Sequence, residues 1–220
     1  MTTSDSIKKP PTYLLDGKGG GRQIAHEMRD QEPPAGETLW LQLDYTDEDA
    51  QRWLTDASGI DPIVLETLLA EDTRPRCFVH GNGLLVTLRG VNLNPGEDPD
   101  DMVSIRIWLE PTRIITVSHR RLMALEDLAR SLENEEGPVD CGDFLVCLSQ
   151  ALTRRMAGVL DNFDDGVSEL EDEVLIQEKY QLRGNISTLR RQAIRLRRYI
   201  APQREVMVRL QTEKFAFLKD

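Results

Sequence analysis

Two runs of charge near the C-terminal end hold the residues best suited to chemistry. From Asp161 to Lys179 eight acids, Asp161, Asp164, Asp165 and Glu169 among them, stand against one lysine. From Arg183 to Arg209 eight arginines, Arg190, Arg191, Arg195 and Arg198 among them, stand against one glutamate. A wall of carboxylates concentrates hydrated divalent cations without a formed cage, so Asp161, Asp164, Asp165 and Glu169 are candidate cation-attracting residues. A coordinated ion needs converging oxygens, which one helix face rarely supplies. Arginine is the fork-shaped anion ligand, so Arg190, Arg191, Arg195 and Arg198 read either as salt-bridge partners or as an anion-binding stripe in an assembly. The plainer reading of both runs is a coiled-coil hairpin joined at Gly184-Asn185, each helix neutralising the field of the other.

Other reactive residue types are sparse. Three histidines are scattered, and Cys77 and His80, three apart in a candidate strand, point to opposite faces and cannot share one zinc without a bulge. Cys141 and Cys147 lie about 120° apart around a helix and read as small core residues. Asp16-Gly17-Lys18-Gly19-Gly20-Gly21 invites a phosphate-loop reading, but Lys18 precedes the glycines and no Ser/Thr-opened helix follows, so a turn is expected. Glu97-Asp98-Pro99-Asp100-Asp101 is expected to be a solvated acidic turn. No nucleophile, base and orienting acid stand in a recognisable order, which disfavours an enzyme.

Composition narrows the class. The 220 residues are 40% hydrophobic, enough for one core plus an appendage. A net charge of −11 argues against general nucleic-acid binding. Three cysteines with no CxxC pair do not make a disulfide framework and fit a reducing cytosol. No apolar run reaches the roughly 18 residues of a membrane helix, and residues 1–12 lack the apolar run of a secretory signal and read as a disordered lead-in.

The elements that must position these residues follow from periodicity. Tyr13–Leu15 and Arg22–Ile24 read as strands around the glycine turn, Thr38–Leu43 as a third and Arg76–His80 as a fourth. Alternation marks three more, with Leu84, Val86 and Leu88 on one face, Val103, Ile105, Ile107 and Leu109 on one, and Ile115 and Val117 on another. Thr46-Asp47 and Asp61-Pro62 open two helices, and a third runs from about Arg121 to Asn134. An α+β fold is therefore expected, an α/β/α layered domain over residues 13–137 with a mixed sheet of roughly seven strands. Residues 138–220 then form a long helical hairpin, its apolar stripe stepping by three or four from Leu145 to Val174 and again from Leu182 to Ile200. Pro202 is expected to kink the return helix or free a carbonyl near Arg198.

The strings Leu15–Gly20, Trp40–Thr46, Arg52-Trp53-Leu54, Arg74-Pro75-Arg76, Leu85–Arg89, Gly137–Gly142 and, most specific, Leu196-Arg197-Arg198-Tyr199-Ile200-Ala201-Pro202-Gln203-Arg204-Glu205 resemble the CorA superfamily of divalent-cation transporters, and look most like its bacterial zinc-transporting branch. The resemblance spans about Tyr13 to Phe217. It implies the cytoplasmic part of a funnel-shaped homopentamer of the bacterial inner membrane, with Zn2+ or another divalent cation as cargo, no tightly bound cofactor and no nucleic-acid partner. The membrane would be met only through C-terminal helices beyond Asp220. The family's Gly-Met-Asn or Gly-Val-Asn pore signature would lie there too, so no pore residue carries over. The expectation is a truncated chain that contributes to assembly and to cation attraction or sensing; the alternative is a soluble scaffold built on the charged hairpin.

Overall fold

A computed structural model describes residues 10–71, 73–174, 179–212 and 215. The lead-in read at residues 1–12 lies outside the described residues as far as Lys9, and Thr12 already belongs to the first strand. Seven strands form one sheet: β1 (Thr12–Leu15), β2 (Gly21–Ile24), β3 (Thr38–Leu43), β4 (Arg76–His80), β5 (Gly83–Gly90), β6 (Val103–Glu110) and β7 (Arg113–Val117). Their order is β2-β1-β3-β7-β6-β5-β4, antiparallel throughout except for the parallel β3–β7 pair.

The sheet is covered on both faces, and the period of two decides which residues go where. Leu84, Val86 and Leu88 of β5, the odd-numbered apolar residues of β6 and Ile114 of β7 turn to one side. There they pack against α3 (Met123–Glu133) and the first half of α4 (Cys141–Val174). Leu39, Leu41 and Leu43 of β3, Leu85, Trp108, Ile115 and Val117 turn to the other side, against α1 (Glu48–Asp56) and α2 (Pro62–Leu69). This is the expected layered α+β fold with a mixed sheet. Its helix starts obey local capping: Asp47 accepts from the Asp49 amide at 2.9 Å, and Asp61 accepts from the Ile63 amide at 2.9 Å ahead of Pro62.

The last two helices are long. α4 and α5 (Lys179–Thr212) have 34 residues each, so each extends about 50 Å. Asp140 caps α4 by accepting from the Asp143 amide at 3.0 Å, and Asp143 accepts in turn from the Val139 amide at 3.0 Å. The hairpin connection is not at Gly184-Asn185, as expected, because both residues are helical within α5. Glycine lowers helix stability by only about 1 kcal/mol, and the apolar stripe already ran across it from Leu182 to Ile186. The residues between Val174 and Lys179, including Gln177 of the expected first helix, lie outside those described. Pro202 lies within α5, which continues through it to Thr212.

Candidate functional site

The projecting part of the hairpin is an arm whose charges lie on its outside. Phe144, Leu145, Leu148, Ala151, Leu152 and Met156 bury the base of α4 in the domain, whereas Asp161, Asp164, Asp165 and Glu169 are all exposed. In α5 the exposed stretch holds Arg183, Arg190, Arg191, Arg195 and Arg198, before Leu196, Gln203 and Val206 dock on the domain. The seam between the helices is apolar. Phe163, Val167 and Leu170 face Ile186, Leu189 and Ala193 across a groove of about 340 Å³.

The mutual neutralisation expected of the two helices is not made by Asp161, Asp164, Asp165 or Glu169, while the side chains of Asp172, Glu173 and Glu178 lie outside those described. Among the described residues, no ion pair joins Asp161, Asp164, Asp165 or Glu169 to an arginine of α5. Apolar residues take the centre of the facing sides, with Glu171 and Arg190 at the same groove and Glu169 beside Asn185, Thr188 and Gln192 of α5. Arg195 instead bonds Asp100 at 3.2 Å, Arg191 bonds the Thr188 hydroxyl at 3.2 Å, and Arg190 lines the apolar groove. The Arg198 guanidinium lies 5.4 Å from the Tyr199 ring centroid.

The second acidic cluster is not simply a solvated turn. Asp100 is only 4% exposed, and the loop with Arg195, Arg198 and Tyr199 encloses a cleft of about 510 Å³. Arg120 donates to Asp101 at 2.6 Å. That bond holds the Asp101 carboxyl below its ordinary range against the opposing effect of burial, and the nearby charges of Arg120, Arg195 and Arg89 add to it. Four carboxylates and two guanidiniums line this cleft, so acid outnumbers base.

Beside the cleft lies the joint between arm and sheet. Arg89, 7% exposed, donates through its guanidinium to the Met102 carbonyl at 2.9 Å and the Thr73 carbonyl at 2.7 Å, and stacks 4.1 Å from the Tyr199 ring centroid. Its backbone amide donates to the Gln203 side-chain oxygen at 2.7 Å. Val91, Met102, Met156 and Leu196 form a small apolar core around the same point. No short-range signal marks these contacts, since Arg89 and Gln203 are 114 residues apart.

The other reactive groups are occupied or inert. Burial, first of all, pushes the Cys141 thiol up to about 12 and the Cys147 thiol up to about 11, so neither offers a thiolate. Cys77 is buried, and His80 instead pairs through Nε2 with Asp61 at 3.2 Å. His119 Nδ1 lies 3.1 Å from the Thr46 hydroxyl and 3.2 Å from Asp44, a cluster that local sequence does not reveal. The Thr46 hydroxyl also donates directly to Asp44 at 2.8 Å, and both groups meet the same ring nitrogen, so the imidazole does not sit as a relay between them. The glycine run is a packed turn: Asp16 accepts from the Lys18 and Gly20 amides at 2.7 and 3.0 Å, and Gly17 has φ +74°. Among the described residues, no group of three or more His, Cys, Asp or Glu converges as a held metal ion requires. None of the described helices is long and apolar enough to cross a membrane.

A mixed sheet between helical layers, extended by a long two-helix arm, is the fold of the cytoplasmic domain of ZntB from Vibrio parahaemolyticus. That structure matches with a TM-score of 0.81 at 20% identity, over 95% of this chain and 81% of that one. The chain belongs to the CorA family: the family described as CorA-like Mg2+ transporter protein matches residues 35–220. The full-length CmaX structure matches with a TM-score of 0.86 at 36% identity, over 98% of this chain and 67% of that one. The zinc transport protein ZntB of Yersinia enterocolitica is 35% identical over all 220 residues, which span 65% of its length.

Proposed function

We propose that this chain is the cytoplasmic, funnel-forming part of an inner-membrane divalent-cation transporter, with Zn2+ as cargo and a homopentamer as the working assembly. Likeness over the whole chain to a zinc transport protein supports the cargo. In this reading the arm attracts cations toward the funnel or senses their level, and does not form the pore. The observation that carries this role is the exposed face of Asp161, Asp164, Asp165 and Glu169, whose charges no arginine of α5 cancels. Four like charges on one helix side repel one another, and a divalent ion relieves that repulsion without a coordination cage. Calorimetric titration with Zn2+ tests it, comparing this chain with a variant in which the three aspartates are changed to Asn and Glu169 to Gln. Weaker binding by the variant is expected; equal affinity removes the cation role from this face.

The second reading, a scaffold without transport, is favoured by the lack of a converging ligand set among the described residues. Two apolar segments of about 20 residues following Asp220 in the gene would decide for transport.

A further inference from the structure

Three donors meet where β3 and β7, the parallel pair, come to their carboxyl ends. The Ser118 amide bonds the Leu43 carbonyl at 3.0 Å, so the segments leaving the two strands start side by side. One segment brings Asp44 and Thr46, the other His119. His119 Nδ1 lies 3.2 and 3.3 Å from the two Asp44 carboxylate oxygens and 3.1 Å from the Thr46 hydroxyl. That hydroxyl is itself 2.8 Å from Asp44 Oδ1. Ligand atoms held tetrahedrally at about 2.0–2.2 Å from zinc stand about 3.3–3.5 Å from one another. The three donors therefore outline one face of such a shell, and an entering ion opens the shortest edge by about 0.5 Å.

We propose that His119 Nδ1, the Asp44 carboxylate and the Thr46 hydroxyl form an open site for a transition-metal dication of the zinc class, with water in the remaining positions. Imidazole selects this class over Mg2+, which prefers oxygen ligands. The face is held in place before any ion arrives. The Thr46 amide donates to Asp44 Oδ1 at 2.9 Å, and the Tyr45 ring stands edge-on to the imidazole with centroids 5.7 Å apart. The two arginines after His119 are engaged elsewhere, Arg120 by Asp101 and Arg121 by Glu126, so neither is paired with the Asp44 carboxylate. The His119 side chain is 52% exposed and that of Asp44 26%, which leaves the ion a path from water. One imidazole, one carboxylate and a neutral hydroxyl do not close a shell. The ion therefore exchanges with solvent, unlike one locked among three or more His, Cys, Asp or Glu side chains. Carboxyl ends of parallel strands are a common place for sheets to gather a ligand. The site rests neither on the carboxylates of the arm nor on transport, and either reading can fail without the other.

The chain has three histidines, so imidazole NMR reads each one separately. Zn2+ added to the full chain should shift the His119 ring signals to saturation at concentrations that leave His26 and His80 unmoved. His80 is the control for adventitious binding, since it too faces a carboxylate, that of Asp61 at 3.2 Å. Asp44→Asn keeps an acceptor for the Thr46 amide and should weaken Zn2+ binding about tenfold or more. Thr46→Val should weaken it less, and Thr46→Ser should bind as the unaltered chain does. Mg2+ at the same concentrations should leave His119 unmoved, and the chain with Asp161, Asp164, Asp165 and Glu169 changed to amides should keep the full His119 response. Equal shifts at His80 and His119, an equal response to Mg2+, undiminished binding by Asp44→Asn, or loss of the response with the arm carboxylates would each overturn the proposal. Should Asp44→Asn fail to fold, Co2+ added to the unaltered chain gives a second reading. Intense visible absorption marks a four-coordinate ion, and the weak spectrum of the aquo ion would overturn the site equally.

Discussion

Replacing Gln203 by Met tests whether α5 is held to the sheet by one buried hydrogen bond. Gln203 is 6% exposed, and its side-chain oxygen accepts from the Arg89 amide at 2.7 Å. Pairing between β4 and β5 begins at Arg76–Thr87, so the next donor along that side of β5 is the Arg89 amide. Methionine keeps the length and volume of glutamine but accepts poorly, leaving a buried N–H without a partner. Such an orphan costs about 1–3 kcal/mol. For a chain of this size each kcal/mol lowers the melting temperature by about 2–4 °C, so thermal unfolding should shift down by roughly 2–12 °C. Gln203→Glu keeps an acceptor and sets its charge beside the Arg89 guanidinium, so it should lose less. Hydrogen exchange at the Arg89 amide should quicken in the Met variant beyond what the global loss explains. A Met variant that melts within about 1 °C of the unaltered chain, with Arg89 exchange unchanged, would refute this account of the joint.

Two further outcomes follow from the titrating groups. With its thiol pushed up to about 11, Cys147 holds only about one thiolate in a thousand at pH 8. Iodoacetamide should therefore label the folded chain slowly, Cys147 first, with Cys77 and Cys141 reacting only on unfolding; rapid labelling of all three in the folded chain would contradict the burial argument. Arg155 donates twice to Asp127, at 2.7 Å each, and that bond holds the Asp127 carboxyl below its ordinary value. A lowered folded value stabilises the fold above the unfolded carboxylate value near pH 4, and this contribution disappears as pH falls through the lower folded value. Asp127→Asn should cost about 1 kcal/mol at pH 7, with the gap to the unaltered chain closing in acid; a gap of constant size from pH 7 to pH 3 would show that the pair contributes no pH-dependent stability.

Much of the architecture was legible because it is written in local pattern. Leu84, Val86 and Leu88 alternate and share a core face, Asp61-Pro62 caps α2, and Thr38–Leu43 is a strand along its whole expected length. The Gly184-Asn185 connection failed because glycine is a weak helix breaker, and the continuing stripe from Leu182 to Ile186 and Leu189 was the stronger signal. The joint's residues stood in the strings of the resemblance, but their pairing was not legible. Asp100 and Arg195 lie 95 residues apart, and Asp44 and His119 lie 75 apart. Pairings of that separation leave no periodicity behind, so Asp100 read as one more solvated acid until α5 was laid beside it.

The strings that carried the family resemblance meet one another in the fold, and this separates what they specify from what the arm does. Gly19 of the first string accepts from the Gly137 amide at 2.7 Å, and a Cβ on Gly17 would stand 2.5 Å from the Gly36 carbonyl. Arg89 of the Leu85–Arg89 string is met by Tyr199 and Gln203 of the Leu196–Glu205 string. These residues fix where the arm leaves the domain, and their identities matter because close approach and buried hydrogen bonds tolerate few substitutes. The charges on the arm obey a looser rule: any carboxylate on the outward side of α4 adds to the same field, whatever its exact position. A family likeness carried by strings that meet at the joint therefore establishes the scaffold, and the cation role proposed for the arm needs a test of its own. For that reason the neutralised arm in the zinc titration, and not a change at Arg89 or Gln203, separates cation attraction from folding.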